Sequence, residues 1–199
     1  MGVAKLTDQN TAVPKQSKYA RVERERKFLL DRLPEELTPA SPHVQITDNY
    51  ITGTRLRLRK IRDPQTNKWT LKLTQKFALN QSDLSRTILT NVYLNAAEYN
   101  ALAVFEANEI RKNRYSFEHA GNKYGIDLFL GDLLGLILAE ISFETDEELE
   151  QFERPAFAFA EVTNSEMFTG AKLVDLTFED IRNEVARTNP HRLNQNTSV

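Results

Sequence analysis

The chain has 199 residues, of which 40% are hydrophobic and 27% charged; this is the composition of a folded domain with a real core and excludes wholesale disorder. With 26 Lys and Arg against 28 Asp and Glu the formal net charge is -2, so no nucleic-acid polymer is expected as a partner and any anion site must be local. There is no cysteine, which removes disulfides and thiolate zinc sites and fits a reducing, cytoplasmic setting.

Residues 1–19 contain no apolar h-region and read as a flexible N-terminal tail rather than a secretory signal. Residues 20–188 read as one domain, and 189–199 as a polar C-terminal tail. Within the domain the dominant signal is alternation of polar and apolar residues, with strand-like runs at 22–29, 44–51, 54–61, 68–76, 85–94, 110–117, 123–130 and 136–143. Turn chemistry at Asp63-Pro64 with Asn67, and at Gly121-Asn122, joins pairs of these runs as antiparallel hairpins. Helices are fewer. Asn95 with Glu98 and Thr145 with Glu148 are capping-box starts, and a third helix is predicted over 177–187. The apolar run at 133–139 is too short to cross a bilayer, so no membrane partner is expected. His43, His119 and His191 lie far apart and read as surface or loop residues, while Trp69, Phe77, Tyr93 and Phe105 read as packing residues. The pattern is an α+β domain, mostly antiparallel, able to close into a barrel.

Charge is placed at intervals of two along several of these strands. In VERERK, Glu23, Glu25 and Lys27 share one face, and Arg24 and Arg26 the other, which reads as a solvated exterior. In RLRLRK, Arg55, Arg57 and Arg59 oppose Leu56 and Leu58; the leucines need a core, so the arginines face bulk water or a wet cavity. TLKLTQK carries Lys72, and IRKNRY carries Lys112 and Arg114; Asp127 and Glu140 are acidic counterparts among apolar neighbours. If these faces converge on a lumen, unpaired cations about 5 Å apart at an effective dielectric near 20 repel by about 3 kcal/mol per pair, so the lumen needs anions. Glu23 and Glu25, about 7 Å apart on an extended strand, can both reach one hard cation. No P-loop, dinucleotide fingerprint or nucleophile elbow is present.

VERERKFLL resembles the ExExK signature of the CYTH domain, or triphosphate tunnel metalloenzyme superfamily, whose small bacterial members have a first strand of the form EIERKFLV followed by a Leu-Pro turn, as at Leu33-Pro34. The resemblance continues in order through RLRLRK, TLKL, Ser85-Arg86, IRKNRY, GIDLF, LAEISF and AEVT, over roughly residues 20 to 175. It implies a closed eight-stranded antiparallel tunnel with peripheral helices that binds triphosphate with Mg²⁺ or Mn²⁺. Glu23, Glu25, Asp127, Glu140 and Glu161 would then be metal ligands. Lys27, Arg57, Arg59, Lys72, Arg86, Lys112 and Arg114 would contact phosphate, with Lys27 and Glu140 in catalytic roles. A general base is not assigned: Glu140 is a candidate, Asp127 can instead orient a lysine or arginine, and Glu161 can cap the tunnel mouth.

The chain departs from the family where R-x-E-x-E becomes Arg86, Ile88, Thr90, where the second Glu of E-x-E becomes Ser142, and around Glu166, Met167, Phe168 and Gly170. The expectation is a divalent-metal-dependent phosphohydrolase acting on inorganic triphosphate or a small organic triphosphate, as monomer or homodimer. A non-catalytic polyphosphate or nucleotide binder and a class IV adenylyl cyclase are the alternatives.

Overall fold

The computed structural model describes residues 20–188; the expected tails at 1–19 and 189–199, and His191, lie outside the described residues. Eight strands run in chain order: β1 (Arg21–Leu30), β2 (His43–Ile51), β3 (Leu56–Arg62), β4 (Trp69–Asn80), β5 (Asp83–Leu94), β6 (Ala107–His119), β7 (Asn122–Leu130) and β8 (Ile137–Phe143). The sheet order β5-β4-β3-β2-β6-β7-β8-β1 closes through pairing of β1 with β5, and every pairing is antiparallel. A two-residue ninth strand, β9 (Ala160–Glu161), pairs with β1 opposite Phe28 and Leu29. The barrel is therefore closed, and its side chains must sort between an interior and an exterior at a period of two.

Among the described residues four α-helices decorate the barrel: α1 (Ala96–Leu102), α2 (Asp146–Gln151), α3 (Gly170–Leu173) and α4 (Phe178–Thr188). Both capping boxes form. The Asn95 and Thr145 side chains accept from the amides of Glu98 and Glu148, whose carboxylates accept in return from the cap amides. α1 ends at Leu102 with Ala103 as its C-cap, and the chain enters β6 at Ala107. The β6–β7 hairpin turns one residue earlier than predicted, at Ala120 and Gly121, both with positive φ (49° and 76°), since His119 opposes Asn122. A two-residue hairpin loop requires that left-handed pair to match strand twist.

Two apolar clusters fix the barrel. Outside, Phe28, Tyr115, Ile126 and Ala139 from β1, β6, β7 and β8 are buried under Leu33, Leu37, Phe152 and Phe157. Inside, Leu29, Leu138, Phe129 and Ile110 fill one end of the lumen, packed with Phe168, with Leu173 of α3 and with Ile181 of α4. Aromatics expected to pack do not all do so: Trp69, Tyr93 and Phe105 are 56%, 71% and 54% exposed, and Phe77 lies under the Arg55 guanidinium at 5.2 Å.

Candidate functional site

Strand register decides which charges enter the barrel, because directly opposed residues share a face. On β1, Glu23 opposes Thr87, Glu25 opposes Ser142 and Lys27 opposes Glu140. Around the wall, Tyr50 opposes Arg57, Asp48 opposes Arg59, Arg59 opposes Lys72, Thr74 opposes Asn91, and Arg114 opposes Asp127. These residues, with Lys76 and Lys112, point inward above the apolar plug. Apart from Asp127 and Ser142 they line a cavity of about 440 Å³. Of the two settings open to the arginines of RLRLRK, Arg57 and Arg59 take the wet cavity, and Leu58 on the opposite face is buried against the barrel's exterior cover.

The lumenal charges are ordered by burial. Deepest, Asp127 is fully buried and receives the Lys112 ammonium and the Arg114 guanidinium, whose Nε and Nη2 donate at 2.6 Å each; Arg114 also reaches Glu140. Arg59 grips buried Asp48 with Nε and Nη2, the latter at 2.6 Å, and Arg57 Nε lies 3.5 Å from the same carboxylate. Burial opposes ionisation of Asp48, but the two guanidiniums outweigh it and hold the carboxyl down at about 2. Burial likewise opposes the charge on Glu140, and Arg114, Lys112 and Lys27 hold it well below the usual carboxylate range.

Nearer the mouth, Lys27 Nζ lies 3.4 Å from Glu25 and 3.7 Å from Glu140; these carboxylates overcome burial and raise its pKa. Lys76 Nζ lies 2.6 Å from Glu23 and 3.5 Å from Glu25. Burial disfavours the Glu23 charge, yet Lys76 lowers its pKa overall. Lys72 makes no ion pair among the described residues. Burial and then Arg59 and Arg57 push its pKa down to about 8. The cations Lys27, Arg57, Arg59, Lys72, Lys76, Lys112 and Arg114 outnumber the carboxylates Glu23, Glu25, Asp48, Asp127 and Glu140, so the lumen presents surplus positive charge to an anion.

No family model matches the chain. The inorganic triphosphatase of Acetivibrio thermocellus is 31% identical in an alignment 104 positions long that covers 47% of this chain and 65% of that relative. The solved structure of the inorganic triphosphatase NE1496 superposes with a TM-score of 0.51 at 21% identity over 76% of this chain and 93% of its own. A second structure of NE1496, described as a hypothetical protein, gives 0.52 at 20% identity over 78% and 99%. The chain has the closed-barrel fold of these two solved structures.

Within this tunnel fold most of the residues expected at the site lie inside, but two do not. Arg86 opposes Arg24 on the outer face, where it pairs with Asp83, Asp146 and Glu150, so it offers nothing to a ligand in the lumen. Glu161 also sits outside, accepting from Arg26 Nε at 2.8 Å and from Thr163 Oγ1 at 2.7 Å. Arg24 and Arg26 are therefore outward as expected but not free in solvent: Arg24 Nε donates to Asp146 at 3.0 Å, and the Arg26 guanidinium stacks on Phe28 and Phe152. Ile88 and Thr90 share the outer face with Arg86, whereas the tunnel positions of β5 are Thr87, Leu89 and Asn91. Neither face of β5 supplies the paired glutamates of the family pattern. Ser142 shares the face of Glu25 and is exposed.

Lys76, Asp48 and Tyr50 are tunnel residues absent from the sequence-derived set. Lys76 was legible, being four residues from Lys72 on one strand and hence on the same face. Asp48 and Tyr50 sit two apart on β2, but ITDNY has no strongly apolar opposite face to orient them. Gly170, at the start of α3, is required by Tyr50: a Cβ there would stand 1.8 Å from the Tyr50 hydroxyl oxygen.

No ready-made cluster of three acidic or histidine ligands exists among the described residues. Asp127 and Glu140 are engaged by Lys112, Arg114 and Lys27. The outer oxygen pair is different, since Glu25 Oε1 is buried and accepts no hydrogen bond. Glu25 Oε1 is met only by the Lys27 ammonium at 3.4 Å, and two hard carboxylates two residues apart on one strand face form a set that fits a small divalent cation.

Proposed function

We propose that the chain is a divalent-metal-dependent phosphohydrolase that cleaves inorganic triphosphate, or a small organic triphosphate, inside the tunnel. One observation carries the reading: a cavity with surplus cations also contains, on β1, two carboxylates next to a lysine. Glu23 and Glu25 would hold Mg²⁺ or Mn²⁺, which when bound supplies charge neutralisation and polarisation of the phosphoryl centre. Arg57, Lys72 and Lys27 bind and orient the phosphate oxygens, Arg57 by its planar fork and the lysines as point charges. Lys27, between Glu25 and Glu140, is placed to stabilise charge on a departing phosphate.

Asp48 and Asp127 have a different task in this reading. Each is a buried counter-charge that fixes guanidinium or ammonium groups in place, Arg59 by Asp48 and Lys112 with Arg114 by Asp127. Arg86 and Glu161 drop out of the binding set. The absence of carboxylates on the tunnel face of β5 favours one other reading, a polyphosphate binder that turns over poorly.

Phosphate release from triphosphate, screened with Mg²⁺ and Mn²⁺, separates the two. Hydrolysis that falls at least a hundredfold in Glu23→Gln and Glu25→Gln is expected, as for loss of a metal ligand pair. Binding of triphosphate without release under any metal would establish the binder instead. A cytosolic setting belongs to the same proposal.

A further inference from the structure

Lys76 occupies the ground between the two carboxylates that the proposed function assigns to metal. Its ammonium lies 2.6 Å from Glu23 Oε2 and 3.5 Å from Glu25 Oε2, within the span a bridging divalent cation would need. It reaches them from β4 across the intervening β5, whose Leu89 it opposes in register. All three side chains are largely shielded, at 30%, 21% and 11% exposure, so the contact is not a surface ion pair made and broken at no cost.

The other oxygen of Glu25 faces the Lys27 ammonium at 3.4 Å without forming a hydrogen bond. Glu25 is thus flanked by an ammonium on each side, and Glu23 is held by one. A metal ion bridging this pair and the Lys76 ammonium cannot share the space, because two like charges at that separation repel strongly in a shielded site. Lys76 must leave for the metal to enter. Its flexible four-carbon stem allows this, and a phosphate oxygen in the lumen is an equivalent anionic partner for the displaced ammonium. Lys72, on the same face of the same strand but without a carboxylate partner, needs no such release.

We infer that Lys76 is an internal cation that keeps the Glu23 and Glu25 pair closed to free divalent metal, and that metal is admitted together with a polyphosphate that takes over the lysine. Lys76 is then a selectivity residue for the form in which metal arrives. The inference rests on the metal assignment of Glu23 and Glu25 but not on turnover, and its test uses no substrate in the deciding arm.

The full chain is titrated with Mn²⁺ alone, and free Mn²⁺ is read by electron paramagnetic resonance. Wild type is expected to bind weakly, Lys76→Gln at least tenfold more tightly, and Lys76→Arg, which keeps a cation in place, no more tightly than wild type. Adding Glu23→Gln to Lys76→Gln should remove the gain. Inorganic tripolyphosphate added to wild type should raise apparent Mn²⁺ affinity beyond the chelation measured without protein. Circular dichroism confirms that each variant is folded. An unchanged or weaker Mn²⁺ affinity in folded Lys76→Gln would overturn the inference and leave Lys76 an ordinary structural ion pair. Failure of wild type to release phosphate would overturn the hydrolase reading while leaving the Mn²⁺ comparison intact.

Discussion

Lys72 is a tunnel cation with no carboxylate partner among the described residues, and burial beside Arg59 and Arg57 brings its pKa down to about 8. Below that pH the side chain is charged and available to an anion; above it the proton is lost, and binding must take one up again. Triphosphate affinity is therefore expected to fall as pH rises through about 8. In Lys72→Arg, whose guanidinium stays protonated, that fall should flatten, as calorimetric titration on either side of pH 8 would show. Asp48 works in the opposite sense. Its lowered pKa adds stability that is complete above the ordinary carboxylate range and is lost as pH falls toward about 2, a contribution of roughly 2 kcal/mol. Asp48→Asn leaves Arg57 and Arg59 buried without a counter-charge and is expected to cost about 3–5 kcal/mol in denaturant unfolding.

The apolar plug is an assembly of elements, and α4 is its outermost part. Ile181 is 2% exposed against the cluster that includes Leu138 and Phe129, so Ile181→Ala should destabilise by about 2–4 kcal/mol in chemical denaturation without touching a tunnel charge. The strands were legible in the sequence because a barrel with a wet interior and a covered exterior imposes a period of two on nearly every strand. Both capping boxes were legible for an equally local reason. Sidedness was harder. Period two says which residues share a face but not which face is inside; β3 resolves this because its two faces differ sharply in polarity, whereas both faces of β1 carry charge. On β5 the sets Arg86, Ile88, Thr90 and Thr87, Leu89, Asn91 are about equally polar, so only pairing with β1 places Arg86 outside. Glu161 failed for want of length, since a two-residue strand shows no alternation. The four-residue α3 escaped notice because it is shorter than the window in which helical periodicity can be seen.

Taken as one object, the barrel encloses more positive than negative side chains, and a polyanion inside relieves that imbalance. Inorganic tripolyphosphate at about a hundred times its dissociation constant should add about 2.7 kcal/mol to stability, read as a rise in melting temperature. Added salt should shrink the effect as the charges are screened. The wall that bears this imbalance is not equally strong all round. β1 is laced to β8 through opposed residues from Arg24 to Leu30, but to β5 only from Arg21 to Arg24, before β9 takes over as its neighbour. That short ladder is the barrel's latch, and Lys76 acts as a clasp over it, reaching from β4 past β5 to Glu23 and Glu25 on β1. Freeing the clasp while a polyanion draws the walls together would trade one fastening for another, so that loading the tunnel and holding it shut become a single mechanical event.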